Sequence, residues 1–311
     1  MNKKIILRLS NEIGNQMFMY AAAYSISRSL NRDLYLDNET AFQLKKNIST
    51  YGLDEFEINH KIAPNRFKFL KFGGYLRRKF LLKLDGFKNV KKFYIEHKNK
   101  EKITYFDEKF LYSRFQNNLF IEGHFESEKY FHNYKQEIIN EFVFKYKDYY
   151  SKNKFFGQIS NSNSISICVR QDRFSEKLRK INSRDIKKSQ DYSLEQINYI
   201  QKSIELIKSK VQNPKFFIWS NNFNNLEKYF PVNKFTHIKN NEPLIEGRRP
   251  LLDLFLMSQA KHFIVTPSSF NWWGAYLSLN PNKIIIRPDE NNFSTFKINN
   301  LDFWPEKWIK I

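Results

Sequence analysis

The second half of the chain alternates strand-like and helix-like patterns, and this alternation restricts the fold more than any other feature of the sequence. Short runs of β-branched and aromatic residues predict strands over residues 165–169, 216–219, 262–266 and 283–287. Helical patterns occupy the intervals over residues 193–210, 251–260 and 269–279, and Ser193 with Gln196 has capping-box spacing at the start of the first. Strands and helices in alternation predict an α/β fold with a parallel, doubly wound sheet.

The amino terminus begins with the same kind of unit. Residues 5–9 predict a strand, residues 10–15 a turn, residues 16–30 an unusually apolar and therefore buried helix, and residues 34–37 the next strand. Residues 145–164 are weakly periodic and rich in Asn, Ser and Lys, which is typical of a linker. A length of 311 residues suits two domains, although one large α/β domain also fits it. We therefore predict an amino-terminal domain over residues 1–150 and a second domain over residues 151–311.

Composition removes several classes of protein. A hydrophobic fraction of 41% with 17% aromatic residues provides a core, and the single cysteine, Cys168, rules out a disulfide framework. No run of about 18 apolar residues is present, and residues 5–9 are too short for a signal peptide. The six histidines show no metal-binding spacing, and no dinucleotide fingerprint, P-loop or Asp-x-Asp pair occurs. We expect a cytoplasmic protein that needs no metal or other cofactor.

Positive charge is concentrated in one segment. The chain has a formal net charge of +20, and thirteen Lys and Arg residues against three acids lie between residues 65 and 102. Aromatic and aliphatic residues are interleaved with these charges. Three interpretations stay open: a solvated surface, an anionic membrane surface, or a nucleic acid. No nucleic-acid-binding signature supports the third, so we expect no nucleic acid partner. The second would place the protein peripherally on the inner face of the cytoplasmic membrane.

Polar residues follow three of the predicted strands, where a doubly wound sheet binds its ligands. Gly14, Asn15 and Gln16 stand at a helix start, and Arg170 directly follows a strand, where a guanidinium can bind a phosphate. Ser268 and Ser269 begin another helix, whose amide groups favour an anion. Structural alternatives are a helix-start glycine, a surface ion pair of Arg170 with Asp172, and an ordinary serine cap. Together these loops suit a transferase that binds a nucleotide sugar through its diphosphate.

Four segments carry a family resemblance. Residues 14–21 (GNQMFMYA), 123–131 (GHFESEKYF), 217–222 (FIWSNN) and 268–277 (SSFNWWGAYL) resemble, in order, motifs of the bacterial α-1,2-fucosyltransferases, glycosyltransferase family 11. The last segment is the most specific. The resemblance spans nearly the whole chain.

The resemblance implies a GT-B fold, with two Rossmann-like doubly wound domains facing a cleft. It implies an inverting, metal-independent transfer of L-fucose from GDP-fucose to the 2-hydroxyl of a terminal galactose in a surface glycan. Residues 1–150 would bind the acceptor and residues 151–311 the donor. Arg170 is the implied catalytic residue on the diphosphate. No general base is obvious: Glu12, near the glycine turn, is the candidate we name as catalytic, with Glu126 a lesser one. The implied donor-binding residues are Gly14, Asn15, Gln16, Arg170, Arg173, Asp253, Thr266, Ser268, Ser269 and Phe270.

Two departures from the family motifs bear on the donor. The second arginine of the family's arginine motif is Gln171 here, and the aspartate pair after the next strand is Asn221 and Asn222. We hypothesise that Arg173 restores the missing positive charge. Two alternatives remain: the same fold with another GDP-6-deoxysugar, or a basic protein that binds polyanions.

Overall fold

The computed structural model describes residues 3–43, 50–100, 103–175, 182–240 and 249–311. The chain forms two compact units. Unit 1 contains Met1–Lys145 and Leu301–Phe303, and unit 2 contains Tyr146–Asn300 and Trp304–Ile311. Within the described residues no helix is both long enough and apolar enough to cross a membrane.

Unit 1 is built on a parallel sheet of five strands in the order β3-β2-β1-β5-β4. The strands are β1 (Lys4–Arg8), β2 (Asp33–Asp37), β3 (Lys61–Ile62), β4 (Lys91–Ile95) and β5 (Phe115–Glu122). The helices are α1 (Ile13–Ser29), α2 (Lys71–Gly86), α3 (Lys109–Tyr112) and α4 (Lys135–Glu141), with short 3-10 turns at Leu53–Glu55, Asn65–Phe67, Glu128–Tyr130 and His132–Tyr134. The central strand β1 pairs Ile5 with Leu34 on one side and Leu119 on the other, so its apolar run is covered from both edges.

Helix α1 confirms the predicted buried helix. Most of its side chains, including the Ala21–Ala23 run, are buried against the sheet, which explains why no polar face is visible in its sequence. The helix begins at Ile13, three residues earlier than predicted. The left-handed residue of the preceding loop is Asn11, with φ 63°, and Gly14 lies inside the helix. Asparagine tolerates this conformation, so glycine is not needed there.

Unit 2 is built on a parallel sheet of six strands in the order β11-β10-β9-β6-β7-β8. The strands are β6 (Asn163–Val169), β7 (Pro214–Ser220), β8 (Phe235–His237), β9 (His262–Ile264), β10 (Ile285–Arg287) and β11 (Ile309–Lys310). The helices are α5 (Lys147–Tyr150), α6 (Phe156–Ser160), α7 (Ser183–Lys208), α8 (Arg249–Ser258) and α9 (Ser269–Leu277), with 3-10 turns at Leu226–Lys228 and Glu290–Asn292. The predicted α/β class and doubly wound parallel sheets are confirmed in both units.

Helix α7 shows where the sequence prediction was wrong. The helix begins ten residues before Ser193, and its first turn is capped by the Asn182 side chain, which accepts a hydrogen bond from the Asp185 amide. The Ser193 hydroxyl instead donates to the carbonyl of Ser189, one turn earlier. Serine makes this internal bond as readily as a cap, so the capping-box spacing was coincidental.

Two features surround the division between the units. Residues 145–164, expected as a linker, contain α5, α6 and the start of β6, and Tyr150 and Ile159 among them are buried in unit 2. Near the carboxyl terminus three residues return to unit 1. Asp302 accepts hydrogen bonds from Lys129 Nζ at 2.6 Å and from the Phe106 amide at 3.0 Å, and the Phe303 ring lies 6.1 Å from that of Phe18.

Each sheet reverses its strand order once. In unit 1 the reversal lies between β1 and β5, and in unit 2 between β6 and β9. At such a switch point the connecting loops diverge and leave a crevice beyond the carboxyl ends of the strands, where doubly wound sheets bind ligands. We refer to these as the unit 1 switch point and the unit 2 switch point.

Candidate active site

The unit 2 switch point presents Arg170, the first residue after β6. Its backbone is fixed by Gln196 of α7, whose side chain accepts from the Arg170 amide at 3.0 Å and donates to the Arg170 carbonyl at 2.8 Å. Gln196 is fully buried, whereas Arg170 is half-buried. A rigid backbone below a partly accessible guanidinium suits the bidentate recognition of a phosphate group.

The residues that depart from the family motifs contact one another. The side chain of Asn221 accepts from the Gln171 amide at 2.8 Å and donates to its carbonyl at 2.7 Å, and the Gln171 side chain donates to the carbonyl of Asn222. Asn222 also donates to Asp172 Oδ2 at 2.8 Å. Neutral amides therefore join the ends of β6 and β7 where the family motifs have an arginine and two aspartates.

Arg173 is held by aromatic rings. Its guanidinium carbon lies 3.7 Å from the centre of the Phe296 ring and 5.5 Å from that of Tyr192. Cation–π contacts of this kind orient an arginine without neutralising it. Burial raises the pKa of Tyr192 to about 12, and the positive charges of Arg173 and Arg170 act in the opposite direction. The hydroxyl of Tyr192 is therefore neutral at physiological pH.

The loop after β9 completes the unit 2 switch point. Thr266 is buried, and its hydroxyl donates to the Cys168 carbonyl at 3.0 Å, which ties this loop to the end of β6. Ser268, Ser269 and Phe270 follow at the start of α9 and are half-buried. The Ser268 side chain makes no capping hydrogen bond. The hydroxyls and amides at this helix start thus face the same crevice edge as Arg170, because β6 and β9 are neighbouring parallel strands.

The two tryptophans after these serines anchor α9. Trp272 and Trp273 are completely buried, and Trp272 stacks on Tyr276 with ring centres 4.5 Å apart.

Asp253, the predicted guanine partner, lies on α8 and accepts from Asn240 Nδ2 at 2.5 Å. His262 is buried in β9, and its Nδ1 accepts from the Ile284 amide at 3.1 Å.

The unit 1 switch point contains a cavity of about 860 Å³. An ion cluster lines it: Glu122, at the end of β5, receives two hydrogen bonds from Arg78 at 2.8 and 2.6 Å and one from Arg8 at 2.9 Å. Apolar walls come from Phe69, Phe72, Tyr75 and Ile95. A cavity with aromatic walls and a few convergent polar groups is typical of a site for a small ligand or a sugar.

Glu96 fixes the loop that borders this cavity. Its carboxylate accepts from the amides of His124 at 2.7 Å and Phe125 at 3.1 Å. Burial raises the pKa of Glu96 above its usual range, although both backbone hydrogen bonds lower it. Gly123 passes so close that a Cβ there would lie 2.4 Å from Glu96 Cβ. On the other side of the loop, His124 Nε2 lies 2.9 Å from Asn11 Nδ2.

The amino-terminal motif residues lie in unit 1. Gln16 is fully buried, and its amide donates to the carbonyls of Asn11 and Thr50, both at 2.8 Å, while its oxygen accepts from the Gly52 amide. The side chain of Gln16 is therefore committed to shaping the loop after β1. Gly14 and Asn15 occupy the first turn of α1, and Glu12 is the exposed residue that precedes it.

The structure groups the predicted residues by unit. Arg170, Arg173, Thr266 and the α9 start surround the unit 2 switch point, whereas Glu12 and Gly14 to Gln16 belong to unit 1. The cavity is lined by Glu96 and Glu122 and includes neither Glu12 nor Glu126. Sequence reasoning missed Arg8 and Glu122, although both end a strand, which is the signal that drew attention to Arg170. Across the described part of the chain no group of three His, Cys, Asp or Glu side chains is arranged to hold a metal ion.

Solved structures share this architecture. The α-1,6-fucosyltransferase NodZ of Bradyrhizobium, in crystals soaked with GDP-fucose, has a TM-score of 0.57 and 15% sequence identity, over 94% of this chain and 97% of NodZ. At that identity the similarity establishes the fold alone. With its two doubly wound parallel sheets, the chain has the GT-B fold of glycosyltransferases.

Sequence comparisons give the family. The chain belongs to glycosyl transferase family 11, whose model matches residues 2–311. It is 26% identical over 310 residues to an alpha-1,2-colitosyltransferase of Escherichia coli, covering 99% of this chain and 98% of that protein. It is 25% identical over 303 residues to the O-antigen biosynthesis glycosyltransferase WbnK of Escherichia coli, covering 90% and 92%. The predicted family is confirmed, and the protein is a glycosyltransferase.

Proposed function

We propose that this glycosyltransferase moves L-fucose from GDP-fucose to the 2-hydroxyl of a terminal galactose in a surface glycan, with inversion and without a metal. The observation that carries the proposal is the half-buried Arg170 on a rigid backbone beside the start of α9. A guanidinium and a helix amino terminus on one crevice edge favour a diphosphate. NodZ, whose crystals were soaked with GDP-fucose, supports the donor, and the α-1,2-colitosyltransferase supports the linkage.

The chemistry follows from where charge develops. The acceptor oxygen forms a bond to the anomeric carbon as the bond from that carbon to the GDP oxygen breaks, and the hydroxyl proton passes to a base or to water. Negative charge then grows on the diphosphate, so Arg170, Arg173 and the Ser268–Ser269 helix start stabilise the transition state more than the ground state. We keep Glu12 as the proposed base and Asp253 as the proposed guanine partner.

The acceptor site on this proposal is the cavity at the unit 1 switch point. Its aromatic walls suit the apolar face of a sugar ring, and the Arg8–Glu122–Arg78 cluster offers charged hydrogen-bond partners for hydroxyls. On this proposal the protein acts in the cytoplasm.

The test is GDP release from GDP-fucose in the presence of EDTA, with GDP-mannose and UDP-galactose as comparison donors and lactose as a β-galactoside acceptor. We expect release from GDP-fucose alone, stimulated by lactose. If GDP neither binds nor stabilises the protein, the assignment of Arg170 and Ser268 is wrong. Under the same conditions, Glu12→Gln with full activity would remove Glu12 as the base.

A second donor is favoured by one specific observation, the 26% identity to a colitosyltransferase over nearly the whole chain. Colitose is L-fucose without the 3-hydroxyl, so both sugars are 6-deoxysugars. The protein would be assigned to colitose transfer if GDP stabilises it, GDP-fucose is not turned over, and GDP-colitose, the donor without the 3-hydroxyl, is turned over. The neutral Gln171, Asn221 and Asn222 network is the place where this chain departs from the fucosyltransferase motifs.

A further inference from the structure

Helix α2 has an outer face that no other part of the described chain covers. Its inner side packs Leu81 and Leu82 against the unit 1 core around Phe93 and Phe120. The large apolar side chains on the opposite side are exposed: Phe72, Tyr75, Leu76, Phe80, Leu84 and Phe87. Phe72, Phe80 and Phe87 are 74%, 62% and 83% exposed. We call these six residues the α2 outer face.

The spacing makes this face continuous. Residues 72, 76, 80 and 84 follow one another at intervals of four, which places them along one side of a helix, and Phe87 extends the row beyond the last turn. Monomeric soluble proteins rarely expose an apolar row of this kind unless it binds something. Leu81 and Leu82 occupy the side of α2 that faces the core. The exposed row lies on the other side, so repacking within unit 1 cannot bury it.

The charges around the face are of one sign. Lys79 and Lys83 lie within the row, and Lys71 and Arg77 flank it. The single acid of α2, Asp85, is buried and accepts from the amides of Lys92 and Phe93 at 2.7 and 3.0 Å. An apolar row on a helix that carries exposed cations and no exposed acid is complementary to a bilayer with anionic headgroups, where apolar side chains enter the acyl boundary and lysines reach the phosphates.

We propose that the α2 outer face binds an anionic bilayer, with the helix lying in the plane of the membrane. The first turn of α2 also lines the cavity, through Lys71, Phe72 and Tyr75, and Arg78 contributes to its ion cluster. Membrane contact through this helix therefore brings the cavity mouth to the lipid surface. Resting on the proposed function, the acceptor glycan is then one carried by a membrane lipid.

The test is sedimentation of the full-length protein with vesicles of phosphatidylcholine mixed with phosphatidylglycerol, and with pure phosphatidylcholine vesicles. The variant Leu76→Ser/Phe80→Ser/Phe87→Ser removes apolar area from residues that do not line the cavity. Its matched control is Leu194→Ser/Val232→Ser/Leu279→Ser, three exposed apolar residues of unit 2. We expect at least tenfold weaker binding to mixed vesicles for the first variant and unchanged binding for the control.

A charge reversal tests the lysines separately. Lys79→Glu/Lys83→Glu should weaken binding to mixed vesicles about tenfold or more, since each lysine near the surface is worth about fivefold, and should leave binding to pure phosphatidylcholine unchanged. Equal wild-type binding to both vesicle types, or vesicle binding that survives the serine substitutions, overturns the proposal. Single-stranded DNA provides a further control. If it displaces the protein from the vesicles and binds the serine variant as tightly as the wild type, the α2 outer face binds polyanions in general, and the proposal is overturned.

Enzyme activity separates this inference from the proposed function. GDP release with lactose, a soluble acceptor, should be the same in the wild type and the serine variant. With a galactose-terminated glycolipid in the mixed vesicles, we expect the wild type to act at least tenfold faster than the variant. Equal rates on the glycolipid would overturn the lipid-borne acceptor. If none of the donors is turned over, the proposed function is overturned. The vesicle-binding measurement would still decide separately whether the α2 outer face binds a bilayer.

Discussion

The two switch points share a topology and differ in the chemistry that fixes their loops. In unit 2, neutral groups hold the loops: Gln196 binds the backbone of Arg170, Asn221 binds that of Gln171, and Thr266 binds the carbonyl of Cys168. In unit 1, charged groups do so: Glu122 receives Arg8 and Arg78, and Glu96 receives two backbone amides.

On the proposed function, this difference matches each switch point to its own ligand. In unit 2 the contacts that hold the backbone next to Arg170 come from neutral amides, which suits an anion. In unit 1 the two arginines share the Glu122 carboxylate, which suits a polyhydroxylated, uncharged ligand better than a phosphate. The proposed assignment of the donor to unit 2 and of the acceptor to unit 1 therefore rests on electrostatics, and substitutions in either unit can test it.

The largest effect is expected at Arg170. Arg170→Ala should lower kcat/KM by about 100-fold or more, because a charge-assisted hydrogen bond to the departing diphosphate is worth about 3 kcal/mol. Steady-state kinetics with GDP-fucose and lactose measure the loss, and thermal unfolding controls for stability. Arg8→Ala in unit 1 should leave the dissociation constant of GDP unchanged. If Arg170→Ala keeps a near-native kcat/KM, Arg170 does not stabilise the departing diphosphate, and the proposed anion site in unit 2 is wrong.

Two motif glycines compare the rigidity of the units. A Cβ on Gly123 would meet Glu96 Cβ at 2.4 Å, and one on Gly274 would meet Met257 Sδ at 2.4 Å. We expect Gly123→Ala to lower the free energy of unfolding by about 2–3 kcal/mol, since an atom next to the Glu96 backbone cannot move away. Gly274→Ala should cost less, because a thioether adapts its rotamers. Gly157→Ala, whose Cβ would meet only Asn161 Nδ2 at 4.0 Å, is the control for denaturant unfolding. Equal losses at residues 123 and 274 would contradict a rigid unit 1 loop.

The ion cluster is the next test. Glu122→Gln leaves the guanidinium groups of Arg8 and Arg78 without their shared carboxylate, so we expect the KM for lactose to rise about tenfold while GDP affinity stays the same. Initial rates against lactose concentration and titration with GDP measure the two quantities. Glu205→Gln, which removes an exposed pair with Lys208, should change neither. A change in GDP affinity alone would reverse the assignment of the units.

The smallest effect is a pH dependence confined to unit 1. Because the pKa of Glu96 is raised in the folded protein, its favourable contribution to stability is complete below about pH 4.5 and is lost as the pH rises through the folded value. The melting temperature of the wild type should therefore contain a downward component as the pH rises above about 4.5 that Glu96→Gln lacks. Identical pH profiles would show that Glu96 does not titrate in this range.

The elements that could be predicted from the sequence are those whose interacting residues lie close together in the chain. The apolar run of α1 and the strands around residues 165 and 216 followed from local periodicity, and the GT-B fold followed from the order of the motifs. Arg170 stood out because it directly follows a strand. Its position beside the start of α9 required only the rule that parallel strands end at one edge.

The parts that could not be predicted depend on distant pairs. Gln196 looked like the end of a capping box, and its actual role with Arg170 joins residues 26 positions apart. Glu122 meets Arg8 across 114 positions and Arg78 across 44, and no local pattern encodes such contacts. For α2, the sequence showed apolar residues interleaved with basic ones and left a membrane surface as one interpretation. Which of these residues share a face became clear only from the helix bounds.

The short return of Leu301–Phe303 has a consequence for recombination between relatives. Unit 1 is encoded by two separated stretches of sequence, so a chimera joined only after residue 145 combines one parent's Lys129, Phe106 and Phe18 with the other parent's residues 301–303. Exchanging the whole of unit 1 between relatives therefore needs a second exchange that encloses these three residues.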